Sequence, residues 1–113
     1  MVPSVWEVRY HPEAEVELGK LPAKERAAMN NAVRKLEAIG PSLPYPHSSA
    51  VVQAYRLREL RPRQGNSPWR GIYRDVDEKF VIAAVCPEAQ KDPRGFKRGC
   101  DAAEERLAGL EDE

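Results

Sequence analysis

The stretch "WRGIYRDVDEKFVIAAVC", residues 69 to 86, settles the fold class. Trp69 to Val76 is rich in aromatic and β-branched residues and reads as a strand, Asp77-Glu78 as a two-residue turn, and Lys79 to Cys86 as a second strand. The unbroken apolar run from Phe80 marks that second strand as central and buried, and Pro87 ends it. Just upstream, Tyr55 to Arg61 reads as a further strand, joined to the first by Pro62 to Pro68, a loop longer than a tight hairpin turn. Three adjacent antiparallel strands therefore form the middle of a sheet.

Outward from this core, residues 4 to 10, "SVWEVRY", put Trp6, Val8 and Tyr10 on one face and predict a short opening strand. Pro12 and the acids Glu13, Glu15 and Glu17 favour a helix start after His11, and this first helix is expected to end near Lys20-Leu21. A longer helix follows from Pro22, with Met29, Val33 and Leu36 as its apolar stripe, widened by Ala28, Ala32 and Ile39. Gly40-Pro41 stops it. Residues 41 to 54, "PSLPYPHSSAVVQA", read as an ordered connection anchored by Leu43, Tyr45 and Val51, and residues 94 to 110 as a terminal helix. The order β-α-α-β-β-β-α predicts one two-layer α+β domain over residues 1 to 113, with an antiparallel sheet and the two N-terminal helices packed on one face.

Composition narrows the function. Lys+Arg and Asp+Glu both total 18, so bulk charge points to neither a nucleic acid nor a membrane surface. The distribution is uneven: residues 56 to 74 hold six arginines against Glu59, a local charge of +5, and residues 101 to 113 hold six acids against Arg106, a local charge of −5. Cys86 and Cys100 lack metal-ligand spacing and are read as reduced thiols. The N-terminus has no basic-then-apolar leader pattern and the longest apolar run is too short to span a bilayer, so a soluble cytoplasmic protein is expected, with no cofactor and no metal. His47 beside Ser48 and Ser49 reads as loop residues bonding their own backbone rather than a nucleophile pair, and no phosphate-binding glycine motif or paired-carboxylate motif is present.

The arginines carry the remaining signal. On a strand, Arg56 and Arg58 share a face with Leu60, and Leu57 and Glu59 share the other with Arg61. Such a cluster serves a solvated edge or pairs with the acidic C-terminal helix, docks an acidic protein, or holds RNA phosphate while Tyr55, Trp69 or Tyr73 stacks on a base.

In the order "VWEVRYHPEAEVELGKLP", "AIGPSLPYPHSS", "LRELRP", "WRGIYR" and "PEAQKDPRGF", the chain resembles the RelE/ParE superfamily of bacterial type II toxins, in its HigB-like, phage-derived branch, over roughly residues 4 to 110. The resemblance implies a RelE-like fold and a metal-independent endoribonuclease, an mRNA interferase that enters the ribosomal A site. It also implies a cognate helix-turn-helix antitoxin as partner, with ribosome and mRNA as targets. Carried over by motif, it points to Arg61, Arg70 and Lys91 as the catalytic set, and to Arg58, Arg63, Tyr73, Arg74 and Phe96 as RNA contacts. Two positions depart from the pattern: Pro87-Glu88 stands where many HigB-like chains carry lysines, and Phe96 where RelE-type enzymes place a tyrosine. ParE relatives inhibit DNA gyrase without hydrolysis, so a non-catalytic gyrase inhibitor or binding module is the alternative.

Overall fold

The computed structural model describes residues 6–52 and 54–111. The sheet has five strands in the order β1-β5-β4-β3-β2. These are β1 (Val8–Tyr10), β2 (Ser48–Ala50), β3 (Arg58–Leu60), β4 (Trp69–Val76) and β5 (Lys79–Pro87). Strand β1 runs parallel to β5 and the other pairs are antiparallel. Three helices complete the domain: α1 (Pro12–Gly19), α2 (Ala23–Ile39) and α3 (Pro93–Glu111). No helix among the described residues is long and apolar enough to cross a membrane.

The β4–β5 pair forms as its alternation requires, and Asp77 and Glu78 both take positive φ, 51° and 67°, the left-handed conformation a two-residue hairpin turn demands. Elsewhere the strands are shorter than the sequence suggests. Of the expected opening strand, only Val8–Tyr10 pairs, and Ser4 and Val5 lie outside the described residues. The expected strand from Tyr55 is paired only over Arg58–Leu60, because Arg56 turns out of extended geometry at φ 59°. Within the connection after α2, Ser48–Ala50 pairs with β3 as an edge strand too polar to signal itself.

The helices divide between the two faces. Met29, Ala32 and Leu36 of α2, with Leu18 of α1, pack on Leu60, Tyr73, Phe80 and Ile82. Cys100, Ala103 and Leu107 of α3 pack on Leu57, Ile72, Val81 and Ala83. The N-terminal helices do share one face, but the terminal helix covers the other, so the sheet lies between two helical layers. A bulge interrupts the β4–β5 register: Ile72 pairs with Ala84 while the next residue, Tyr73, pairs with Ile82, leaving Ala83 as an extra residue on β5. Side-chain alternation along β5 therefore changes phase there. Phe80, Ile82 and Val85 serve the α2 side, while Val81, Ala83, Ala84 and Cys86 serve the α3 side. A seven-residue apolar run feeds two cores.

Two contacts fix how closely the layers approach. A Cβ on Gly99 of α3 would sit 2.5 Å from the Cys86 sulfur, so the helix lies too close to β5 for any side chain there. Gly40, at φ +71°, ends α2 against the Trp6 indole, where a Cβ would lie 2.4 Å from ring atoms.

Beyond Tyr10, β1 stops and leaves the upper half of β5 as an open edge. Side chains close it. Glu17 Oε1 accepts from the Val85 backbone N–H at 3.0 Å, and Arg106 Nη1 donates to the Ala83 carbonyl at 2.8 Å. Arg106 also pairs with both Glu17 oxygens, each at 3.0 Å, and with Glu13. This clasp joins α1, β5 and α3, and it protects the edge from pairing with another chain. Arg106→Ala is expected to lower unfolding stability by about 2–3 kcal/mol, since charge-assisted bonds to a part-buried edge are lost and Glu17 is left without its cation; urea denaturation of the variant checks this, and an unchanged midpoint would contradict it.

Candidate functional site

Period-two alternation along β4 sends Trp69, Gly71 and Tyr73 toward α2, and Arg70, Ile72 and Arg74 toward the α3 side. Arg70 is 2% exposed. Its five N–H donors are all committed: Nε to Glu59 Oε1 at 3.0 Å, Nη1 to the carbonyls of Ser67 (2.7 Å) and Trp69 (3.0 Å), and Nη2 to the Gly65 carbonyl (3.2 Å) and Glu88 Oε2 (3.3 Å). None remains to take a substrate phosphate.

The two carboxylates extend the network to the surface. Glu59 Oε1 also accepts from Arg61 Nη1 at 2.9 Å, and Arg61 Nε donates to the Pro46 carbonyl at 3.0 Å. The Arg61 guanidinium lies 5.1 Å from the ring centroid of Tyr45, which is 71% exposed. The Arg61 backbone N–H holds the His47 carbonyl. At the other end, Glu88 Oε1 accepts from the Lys91 backbone N–H at 2.9 Å, leaving the Lys91 side chain exposed. Arg61, Arg70 and Lys91, far apart in sequence, thus belong to one hydrogen-bonded chain, with Arg70 as its buried centre and the other two cations at its rims.

The residues expected to touch RNA fall into three places. Arg58, Tyr73 and Arg74 line one pocket of about 190 Å³ at the far end of β3 and β4. Within it Tyr73 is buried, its hydroxyl 2.6 Å from Ser48 Oγ, and Arg74 Nη2 donates to the Tyr55 carbonyl at 2.6 Å. Arg63 is elsewhere. Both Glu25 oxygens accept from its Nη1 (3.1 and 2.9 Å), and Ser67 Oγ donates to the same carboxylate at 2.8 Å. Partial burial would raise the Glu25 carboxyl, but the Ser67 hydroxyl and the Arg63 guanidinium outweigh it and hold the group below the usual carboxylate range. The pair pins the β3–β4 loop, with Arg63 and Gln64 at φ 54° and 58°, to the start of α2. Phe96 is half-buried on the α3-side core and lines a separate groove with Val51, Val52 and Cys100.

Sequence reading missed Tyr45 and the acids. Leu43 and Val51 do anchor their segment, but Tyr45 points out and flanks Arg61. The proline on each side of Tyr45, which stiffens a loop and lifts its tip, was the available signal. Among the described residues Arg56, Arg61, Arg63 and Arg70 pair with Asp75, Glu59, Glu25 and Glu88, and Arg106 of α3 pairs with α1. No group of three or more His, Cys, Asp or Glu among the described residues is placed to hold a metal ion. Both thiols are free: burial pushes Cys86 far above the ordinary range and Cys100 to about 11, so neither supplies a thiolate at neutral pH.

A family model for phage-derived Gp49-like proteins matches residues 16–106. The chain belongs to this Gp49-like family. As a Gp49-like protein it carries the matched segment from α1 through most of α3, and so the whole Arg61–Arg70–Lys91 chain. Its fold is that of the RelE toxins. A doubly substituted mutant of the Escherichia coli toxin RelE in the free state is similar at a TM-score of 0.57, with 17% identity over 82% of this chain and 96% of that one. The archaeal RelE–RelB complex from Pyrococcus horikoshii gives 0.54, with 20% identity over 73% and 93%. No curated protein sequence matches.

Arg70→Ala would leave Glu59 and Glu88 facing an empty, buried space, and is expected to cost about 3–5 kcal/mol of stability, read as a lower urea midpoint with unchanged slope. A variant as stable as the parent would show that the network is not structural. At pH 8, iodoacetamide is expected to leave both cysteines unmodified in the native protein and to label both in urea, because raised pKa and burial suppress the thiolate together.

Proposed function

We propose that this Gp49-like protein is the toxin of a type II toxin–antitoxin module and acts in the cytoplasm as a ribosome-dependent mRNA interferase. The observation that carries the reading is the rigid chain from Arg61 to Lys91, which holds one mostly buried guanidinium and, through a backbone amide, the base of one exposed lysine on a common scaffold beside an exposed tyrosine. In-line attack by a ribose 2′-OH on the adjacent phosphorus places extra negative charge on the non-bridging oxygens, which the held Arg61 guanidinium and the exposed Lys91 side chain would stabilise. Tyr45, backed by Arg61, offers a face for a base to stack on. Arg70 takes a positioning role: it fixes Glu59 and Glu88, and through them the Arg61 guanidinium and the Lys91 backbone. A cognate helix-turn-helix antitoxin that presents acidic side chains to Arg61 and Lys91 would silence the site by charge complementarity. The archaeal RelE relative is itself in complex with RelB, which supports a partner of this kind.

One observation favours a second reading. Glu59 and Glu88 neutralise the two arginines they contact, so the centre of the network carries no net positive charge. A non-catalytic toxin of the gyrase-inhibiting type needs none.

Primer extension on mRNA in a reconstituted translation reaction separates the two. Wild-type protein is expected to create new 5′ ends at A-site codons, and Arg61→Ala to reduce that cleavage by about 10²-fold or more while remaining folded; Lys91→Ala is expected to weaken it less, because its long exposed stem is less pre-organised. Intact mRNA with wild-type protein would overturn the nuclease reading and make DNA supercoiling by gyrase the next assay.

A further inference from the structure

The pocket at the far end of β3 and β4 has no part in the Arg61–Lys91 chain. It opens on the opposite, α2-side face of the sheet, between β5 and the Trp6–Pro41 corner. Its apolar wall is the half-buried Trp6 indole, backed by core rings: Trp6 and Phe80 are 6.0 Å apart between centroids, and the buried Phe80 and Tyr73 are 5.7 Å apart edge to face. Its polar wall is built around Arg58. Arg58 Nε donates to Ser48 Oγ at 3.0 Å, and that oxygen is in turn bonded to the buried Tyr73 hydroxyl. Ser48 is fully buried, so this relay fixes the guanidinium plane without using its two terminal nitrogens.

The charges around the opening are the cations Arg56, Arg58 and Lys79 and the acids Asp75 and Glu78, with Arg74 lining it from the strand that turns its side chain to the other face. Asp75 is taken by Arg56 at 2.8 Å, and Arg74 is bonded to the Tyr55 carbonyl, which leaves Arg58 and Lys79 as the cations best placed to meet a ligand. At about 190 Å³ the pocket is smaller than the roughly 300–1,000 Å³ usual for a drug-sized molecule, so it admits one ring system with its charged substituent at the rim.

We propose that this pocket binds a single nucleotide, its base against the Trp6–Phe80 wall and its phosphate on Arg58 and Lys79. A flat, apolar-faced ring bearing a phosphate is the chemistry that uses both walls at once; inorganic phosphate would forgo the aromatic wall and a nucleoside the cations. The nucleotide comes either from solution or from an RNA strand. The site stands apart from the cleavage reading, since it concerns binding alone on the other face of the sheet.

The test is isothermal titration of the full chain, without ribosomes, with 5′-AMP, 5′-UMP, adenosine, inorganic phosphate and a single-stranded RNA hexamer. One-to-one saturation by a mononucleotide is expected, with adenosine and phosphate each at least tenfold weaker. Arg58→Gln and the half-buried Lys79→Gln, each checked for folding by circular dichroism, are expected to weaken the nucleotide at least tenfold. A hexamer that binds more tightly than 5′-AMP identifies an RNA strand as the natural occupant, and equal affinities identify a free nucleotide. The proposal is overturned if neither mononucleotide saturates at millimolar concentration, if inorganic phosphate binds as tightly as 5′-AMP, or if affinity survives Lys79→Gln and a folded Arg58→Gln unchanged.

Discussion

A fully buried guanidinium between two carboxylates governs the layout of this domain. Arg70 binds the carbonyls of the β3–β4 loop, a glutamate of β3 and a glutamate just past β5, and so ties together three segments that the chain visits in separate passes. Burying such a charge is costly unless every donor is satisfied, and here every donor is. The loop that supplies two of the acceptors is held in turn by Arg63 and Ser67 on Glu25, which explains how consecutive residues stay in left-handed geometry without glycine at either position. What reads in the sequence as a reserve of positive charge is largely the mortar of the sheet end.

The same accounting separates structural from available charge. Strand alternation sends Arg70 and Arg61 toward one face with Glu59, and Arg58 toward the other with Leu60. On the first face, acids on β3 and after β5 neutralise the guanidinium groups and leave Lys91 and the rim of Arg61 to meet solvent. On the second, a hydroxyl relay orients Arg58 without neutralising it. A hydroxyl fixes direction and leaves the charge intact, whereas a carboxylate fixes direction and cancels it, and this difference divides the cluster into a scaffold and a binding surface.

The edge of β5 poses the other constraint on the fold. A three-residue β1 cannot cover a nine-residue strand, and the Glu17–Arg106 clasp supplies the missing partners from two helices. The RelE fold therefore closes here through side chains where more strand would otherwise be needed. The clasp also binds α3 to α1, so the terminal helix is held on its face of the sheet by charge as well as by Cys100, Ala103 and Leu107.

Much of this was legible in the chain. Strand β4 matches its alternation residue for residue, α1, α2 and α3 lie within a residue or two of their proline and glycine punctuation, and the apolar run of β5 marked the sheet centre, because local periodicity and backbone chemistry fix these features. The shared neighbourhood of Arg61, Arg70 and Lys91 could be read from motif order. Their separate roles could not. Whether an arginine faces solvent or is consumed by a carboxylate depends on which distant acids, here Glu59 and Glu88, the strand pairing brings beside it. The edge strand Ser48–Ala50, the bulge at Ala83 and the outward turn of Tyr45 were silent for the same reason: hydrogen-bond partners from elsewhere in the chain create them, and no local pattern announces them. Local pattern determined the helices, the central strands and the inventory of charge; long-range pairing decided which charges remain free to act.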